Sequence, residues 1–351
     1  MLSGSQTALL QGLRRIGDLA KVSIVSAFVA AAAGIAAVYW LGEAGVLWFV
    51  LTAPAVNFVV ASYYVAKLPR SHAAYDHAAI QQQWLAMLKL GIPLMAAGLL
   101  TLLTQLLVRS IVLRELGLEA SGFFQAAWAI SVTYVGFLLN AMAMDYYPRL
   151  TRAIGDHRNA SRLVNEQAEM ALLLAGPVLI AVITFAPWVI HLLYSQDFGP
   201  AAEMLRWQVL GDVLKLVSVP IVFIFLATGH GGIAIGVQCV WSAVYLGAVV
   251  LGLQNFGLVM AGVGFWMGYL IYFIVVSRVA HKLTGLKLTS RNWSFMLVLL
   301  LMGGTVIYLS AQFTSMSYLI GSIATVLVGI YSLHRLNHLV DLSGWFRLKF
   351  L

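Results

Sequence analysis

The chain has 351 residues, 61% of them hydrophobic and 10% charged, with a mean hydropathy of +0.90 and a formal net charge of +8. Soluble domains are nearer half apolar and a quarter charged, so these values exclude a soluble globular protein and point to a polytopic membrane protein. The single cysteine, Cys239, excludes a disulfide framework and a thiolate metal cluster.

The apolar residues fall in blocks of membrane-spanning length with Gly and Pro inside them. That pattern reads as helices, because the strands of a membrane barrel alternate polar and apolar residues over much shorter runs. Taking roughly 20 residues per span, the sequence predicts about ten. The first five are 22–41, 46–66, 86–108, 122–144 and 170–192; the rest are 204–228, 231–253, 258–276, 295–311 and 318–333. The fold class expected is an all-α, polytopic membrane helix bundle.

Charge in alternate loops sets the expected orientation. One set holds Arg14, Arg15 and Lys21, then Lys67 and Arg70, then Arg149, Arg152, Arg158 and Arg162. It continues with Arg278, Lys282, Lys287 and Arg291, and ends with Arg335, Arg347 and Lys349. The opposite set has Glu43, then Arg109 and Arg114 offset by Glu115 and Glu119, then Asp197. The positive-inside rule puts the first set and both termini in the cytoplasm. The net positive charge is thereby read as topology, with no nucleic-acid partner. Arg14 and Arg15 precede a span long enough to stay inserted, so no cleaved leader is expected. The polar stretch 145–169 is expected as a surface-lying connector helix, and the tail 339–351, with Trp345, Arg347 and Lys349, in the cytoplasmic interface.

The span 204–228 carries the main site candidates. At 100° per residue, Gln208, Asp212 and Lys215 share a sector of about 60° near the expected bilayer centre, with Gly211 and Ser218 just beyond its edge. A central charge costs at least roughly 2.5–3.5 kcal/mol, so this stripe must face protein or water. Either Asp212 and Lys215, at i,i+3, neutralise each other within the bundle, or they line a water-filled cavity and bind substrate or a coupling ion. Arg206 points nearly the opposite way and is expected to snorkel to the outer interface.

In the span 86–108, Thr101, Gln105 and Arg109 lie near one face. Arg109 at the outer end is either a snorkelling residue or a fork of donors for a phosphate. Lys89 at the inner end reads as an interfacial lysine. Gln125, Tyr134 and Asn140 in 122–144 are mild polar features suited to helix–helix hydrogen bonds, with Gln125 kept as a cavity candidate. Prolines 54, 93, 177 and 220 imply kinks. There is no Walker loop, no H-E-x-x-H and no large outer loop to build a catalytic site, so the chain is expected not to be an enzyme and to need no cofactor or metal.

Four phrases together resemble the oligosaccharide-lipid flippases of the MOP exporter superfamily, the Wzx-type O-antigen and lipid III translocases. They are GLRRI at 12–16, GFFQAAW at 122–128, DYYPRL at 145–150 and WQVLGDVLK at 207–215. Arg109 matches a basic position at the end of the corresponding helix. The resemblance runs to about Val276 and implies a MATE/MOP-like fold of two six-helix lobes around a central cavity. Members of the family begin with four helices ahead of the GLRRI phrase, so the first lobe is expected to be incomplete here. On that reading 1–85 is the last helix pair of the N-terminal lobe, 86–277 a complete six-helix lobe, and 278–351 an added pair with an amphipathic cytoplasmic tail.

The function implied is flipping of an undecaprenyl-pyrophosphate-linked oligosaccharide from the cytoplasmic to the periplasmic leaflet of a bacterial inner membrane, for surface polysaccharide assembly. Arg109, Asp212, Lys215, Gln208, Gln105 and Gln125 would line the cavity, and Asp212 would be the cation-coupling group. The implied partners are the lipid-linked oligosaccharide, membrane lipids and a polysaccharide polymerase or chain-length machinery. The alternatives are a cation-coupled multidrug exporter of the same superfamily, which an internal lysine and arginine suit less well than acidic residues would, and a non-transporting membrane partner subunit or fragment.

Overall fold

The computed structural model describes residues 2–13, 15–68 and 77–340, and every regular element among them is helical. The contacts within the chain divide it into two compact units, Met1–His77 and Ala78–Leu351.

The first unit holds α1 (Leu2–Gly12), α2 (Ile16–Leu41) and α3 (Glu43–Ala66). Gly42, at φ 56°, makes the tight turn between α2 and α3, a conformation that costs glycine least. Leu10, Val22 and Ala61 are buried together, and Gln6 donates to Ser62 Oγ at 2.7 Å, which fixes α1 on α3.

The second unit begins in α4 (His77–Ala153), whose 77 residues are two helices joined at Gly117. The backbone there takes φ 90° and ψ −178°, a region open in practice to glycine alone. The two arms fold back on each other. Arg109 Nε reaches Ser121 Oγ at 3.3 Å, whereas twelve residues of unbroken helix would hold them about 18 Å apart. Then come α5 (His157–Thr184), the short α6 (Ala186–Leu193), a single 3-10 turn at Gln196–Phe198, α7 (Ala201–Ala227), α8 (Gly231–Phe256), α9 (Val259–Thr284), α10 (Ser290–Gln312) and α11 (Thr314–Val340). Nine stretches among the described residues are long and apolar enough to cross a membrane. One of them, Gly91–Ala143, contains both arms of α4, which brings the spans to the ten expected.

Two expectations about segments change. The stretch 145–169 forms no separate connector. It consists of the ends of α4 and α5, joined by a turn at 154–156 in which Asp156 accepts from the backbone N–H groups of Arg158 (3.0 Å) and Asn159 (3.3 Å). A carboxylate N-cap satisfies two of the donors a helix start leaves free, so α5 begins there and runs straight into its apolar part. The span expected at 170–192 breaks at Phe185, because Pro187 can continue no ladder into the preceding turn. The tail with Trp345, Arg347 and Lys349 lies outside the described residues, as do Arg14 and Arg70 and the side chain of Lys89.

The core of the second unit is centred on α7, where most residues from Ala201 to Leu226 are buried. Small residues let its neighbours approach. A Cβ at Gly211 would sit 2.8 Å from Cδ1 of Phe265, and one at Gly262 would collide with the Met204 carbonyl oxygen. Both lie at the crossing of α7 with α9, which is the close, small-residue contact expected between membrane helices.

Candidate functional site

The stripe on α7 folds inward. Asp212 and Gln208 are fully buried, and Asp212 and Lys215 flank the midpoint of the helix. Ser131, on the arm of α4 after Gly117, donates to Asp212 Oδ2 at 2.5 Å. The other carboxylate oxygen, Oδ1, has Lys215 Nζ at 3.7 Å and no hydrogen-bond donor among the described residues. That separation makes a loose ion pair. The lysine side chain keeps 15% of its surface exposed while Asp212 keeps none, so the cation is the member able to reach another ligand.

Around the pair stands a cluster of rings. Lys215 Nζ lies 5.7 Å from the Tyr269 ring centroid and 5.9 Å from that of Phe265, both within cation–π range. Phe265 and Tyr269 on α9 are 4.8 Å apart, centroid to centroid. Trp241 of α8 packs on Phe265 at 6.1 Å and on Tyr269 at 5.4 Å, Tyr245 of α8 meets Phe265 at 5.9 Å, and Trp128 of α4 meets Phe265 edge-on at 5.7 Å. The Trp241 Nε1 and Tyr245 hydroxyl groups and both amide atoms of Gln208 are buried without a partner among the described residues. Buried polar groups ordinarily find one, so these four atoms make the region suited to ordered water or a polar ligand.

Sequence reasoning found Gln208, Asp212 and Lys215 but missed Ser131 and the rings. The ring signal was present: Trp241 and Tyr245, and Phe265 and Tyr269, are i,i+4 pairs deep inside spans, away from the interface belts where membrane aromatics concentrate. Ser131 gave no signal, since a lone serine in a span is ordinary.

The remaining candidates sit elsewhere. Arg109 is exposed, and among the described residues its one hydrogen bond goes to the neutral Ser121. Thr101, grouped with it by sequence, accepts from Gln238 Nε2 at 3.1 Å, and Thr104 shares a 2.8 Å hydrogen bond with Ser242, so this face of α4 packs on α8. Gln105 and Gln125 are half-buried. Tyr134 donates to the Leu174 carbonyl at 3.4 Å, as a helix–helix contact. No hydrogen bond or ion pair among the described residues links Arg109, Gln105 or Gln125 to Asp212 and Lys215.

Arg206 corrects a prediction. It does not snorkel: it is 7% exposed, and its Nε donates to the Ile183 carbonyl oxygen at 3.0 Å. Ile183 is the i−4 partner of Pro187, which has no N–H to give, so the guanidinium fills the acceptor that the proline leaves open.

Comparison with known proteins follows from this geometry. The model of a family described as polysaccharide biosynthesis protein matches residues 2–203. No curated protein matches the chain. Among solved structures, the lipid II flippase MurJ in an inward closed conformation is similar, with a TM-score of 0.57 at 11% identity over 88% of this chain. The chain covers 66% of that structure's length, just under two thirds. At such low identity the likeness shows a common fold alone, an all-helical bundle.

Proposed function

The chain belongs to the polysaccharide biosynthesis protein family, and from that premise we propose that it translocates an undecaprenyl-pyrophosphate-linked oligosaccharide from the cytoplasmic to the periplasmic leaflet of a bacterial inner membrane, with both termini in the cytoplasm. Family membership and a fold held in common with a lipid-linked precursor flippase support the reaction class. The observation that carries the reading to a site is the Asp212–Lys215 pair: loose, inside a span, and open on the lysine side.

In this reading Lys215 exchanges Asp212 for the pyrophosphate. The rings of Phe265 and Tyr269 stabilise the cation in transit, because the negative faces of their π-systems attract it. Asp212, kept in place by Ser131, then has Oδ1 free for a coupling cation. Arg109, bonded among the described residues only to a neutral hydroxyl, offers a fork to the phosphates at the outer side. Gln105, Gln125 and Gln208 supply amides for glycan hydroxyls. A polysaccharide polymerase or chain-length protein would take the product. The internal cations favour this anionic substrate over the cationic drugs of a multidrug exporter.

The test is complementation of a strain lacking its own flippase. With protein levels equal, Lys215→Ala should lower surface polysaccharide by about tenfold or more, the equivalent of one charge-assisted contact, and Lys215→Arg should retain much of it. Undiminished polysaccharide in both Lys215→Ala and Arg109→Ala would remove the site assignment.

A further inference from the structure

On the side expected to face the cytoplasm, the end of α9, the loop that follows it and the start of α10 enclose a cleft of about 540 Å³, distant in sequence from the α7 stripe. Its polar wall is basic: Arg278 and Lys282 from α9, and Lys287 from the loop. Its apolar wall is Leu286, Leu288 and the indole of Trp293. No carboxylate is among the described residues that line it, and none of the three cations forms an ion pair with any described residue. In the other basic cluster, lined by Arg149, Arg152 and Arg162, two of the three cations are paired, Arg149 with Asp145 at 3.1 Å and Arg162 with Glu166 at 3.6 Å.

The loop is held in place. Asn165 of α5 donates to the Lys287 carbonyl at 3.0 Å and accepts from the Thr289 N–H at 2.7 Å, and Asn292 bonds both the side chain and the backbone oxygen of Asn165. At the α9 end His281 Nδ1 donates to the Leu286 carbonyl at 3.0 Å, beneath the left-handed Gly285. Both asparagines are buried. The cleft is therefore a preformed shape, with its basic groups set above an apolar wall.

We propose that this cleft is a binding site for the phosphate headgroup of an anionic membrane phospholipid, with Arg278, Lys282 and Lys287 on the phosphate and Leu286, Leu288 and Trp293 against the glycerol and upper acyl chains. A free phosphate would use the cations and leave the apolar wall unfilled, so the two sources are separable. Basic pockets between helices at the cytoplasmic leaflet are suited to such headgroups, and an interfacial tryptophan marks the same depth. The site is independent of the translocation reading and stands whether or not that reading holds.

The test uses the full chain in detergent, titrated with phosphatidylglycerol, phosphatidylcholine or inorganic phosphate, with bound adducts counted by native mass spectrometry. Phosphatidylglycerol should be retained in preference to phosphatidylcholine, and inorganic phosphate should compete only weakly. Substitution to glutamine should weaken phosphatidylglycerol binding by about fivefold for each cation removed and on the order of a hundredfold for R278Q/K282Q/K287Q. The charge-retaining R278K/K282R/K287R should bind as the parent does, which separates the site from misfolding. Equal retention of the two lipids, equal loss in a control R149Q/R152Q/R162Q, or full competition by inorganic phosphate would each overturn the proposal.

Discussion

Asp212 is held by two contacts of unequal kind, a short hydrogen bond from Ser131 and a longer ion pair with Lys215. Asp212→Ala leaves Lys215 uncompensated inside the bundle and should cost about 3–5 kcal/mol, read as a lowered thermal midpoint of the purified protein. Asp212→Asn, which still accepts from Ser131, should cost less than the alanine. Ser131→Ala should remove about 1.5–3 kcal/mol, as a bond to a charged acceptor does, and an unchanged midpoint would show that the bond contributes little. At Arg206 the proline argument gives a sharper check. Arg206→Ala should cost about 1–3 kcal/mol by orphaning the Ile183 carbonyl. In a Pro187→Ala background the same substitution should cost markedly less, since alanine restores an N–H at that position. Additive costs would refute the link between the two residues.

At the scale of elements, sequence located the spans well and their ends badly, for one reason. Hydropathy marks where a helix leaves the apolar layer, whereas the helix ends where its backbone hydrogen bonds do. Arg114, Glu115 and Glu119 therefore read as loop residues, but they belong to the arms of α4, which break only at Gly117. Glu166 and Glu169 likewise continue α5 beyond its apolar part. The stripe of Gln208, Asp212 and Lys215 was legible because it is periodic on one helix. Its partners come from three other elements, and pairing across helices leaves no period to read. The α7–α9 crossing provides a prediction at this scale. Gly262→Val must displace the Met204 backbone, where no flexible side chain can yield, and should destabilise the bundle by about 1–3 kcal/mol. Gly236→Val, with open space around it, should be close to neutral in the same thermal assay.

For the molecule as a whole, α10 and α11 belong to the same compact unit as α4–α9; Phe295, Leu299, Val306 and Val328 join its apolar core, and a polar junction ties the two helices to α5 near one end. Glu169 Oε1 accepts from Arg335 at 2.8 Å and from Arg291 at 3.2 Å, so a single α5 carboxylate ties both helices. Asn165 holds the loop that leads into α10. Asn165→Ala should cost about 2 kcal/mol, as buried backbone groups lose their partner. It should also speed amide exchange at Thr289 while leaving the middle of α7 protected. Uniform acceleration across the unit would mean that the asparagine supports the whole bundle and not this junction.

The central claim is that the chain moves a pyrophosphate-linked glycan with Lys215 in contact with it. The most direct measurement is translocation of a fluorescent polyprenyl-pyrophosphate-linked oligosaccharide in proteoliposomes carrying the full chain, read by accessibility to an impermeant quencher. Transfer should exceed that of protein-free vesicles, fall to that level with Lys215→Ala, and persist with Lys215→Arg. Transfer equal to protein-free vesicles, or transfer undiminished by Lys215→Ala, would contradict the account.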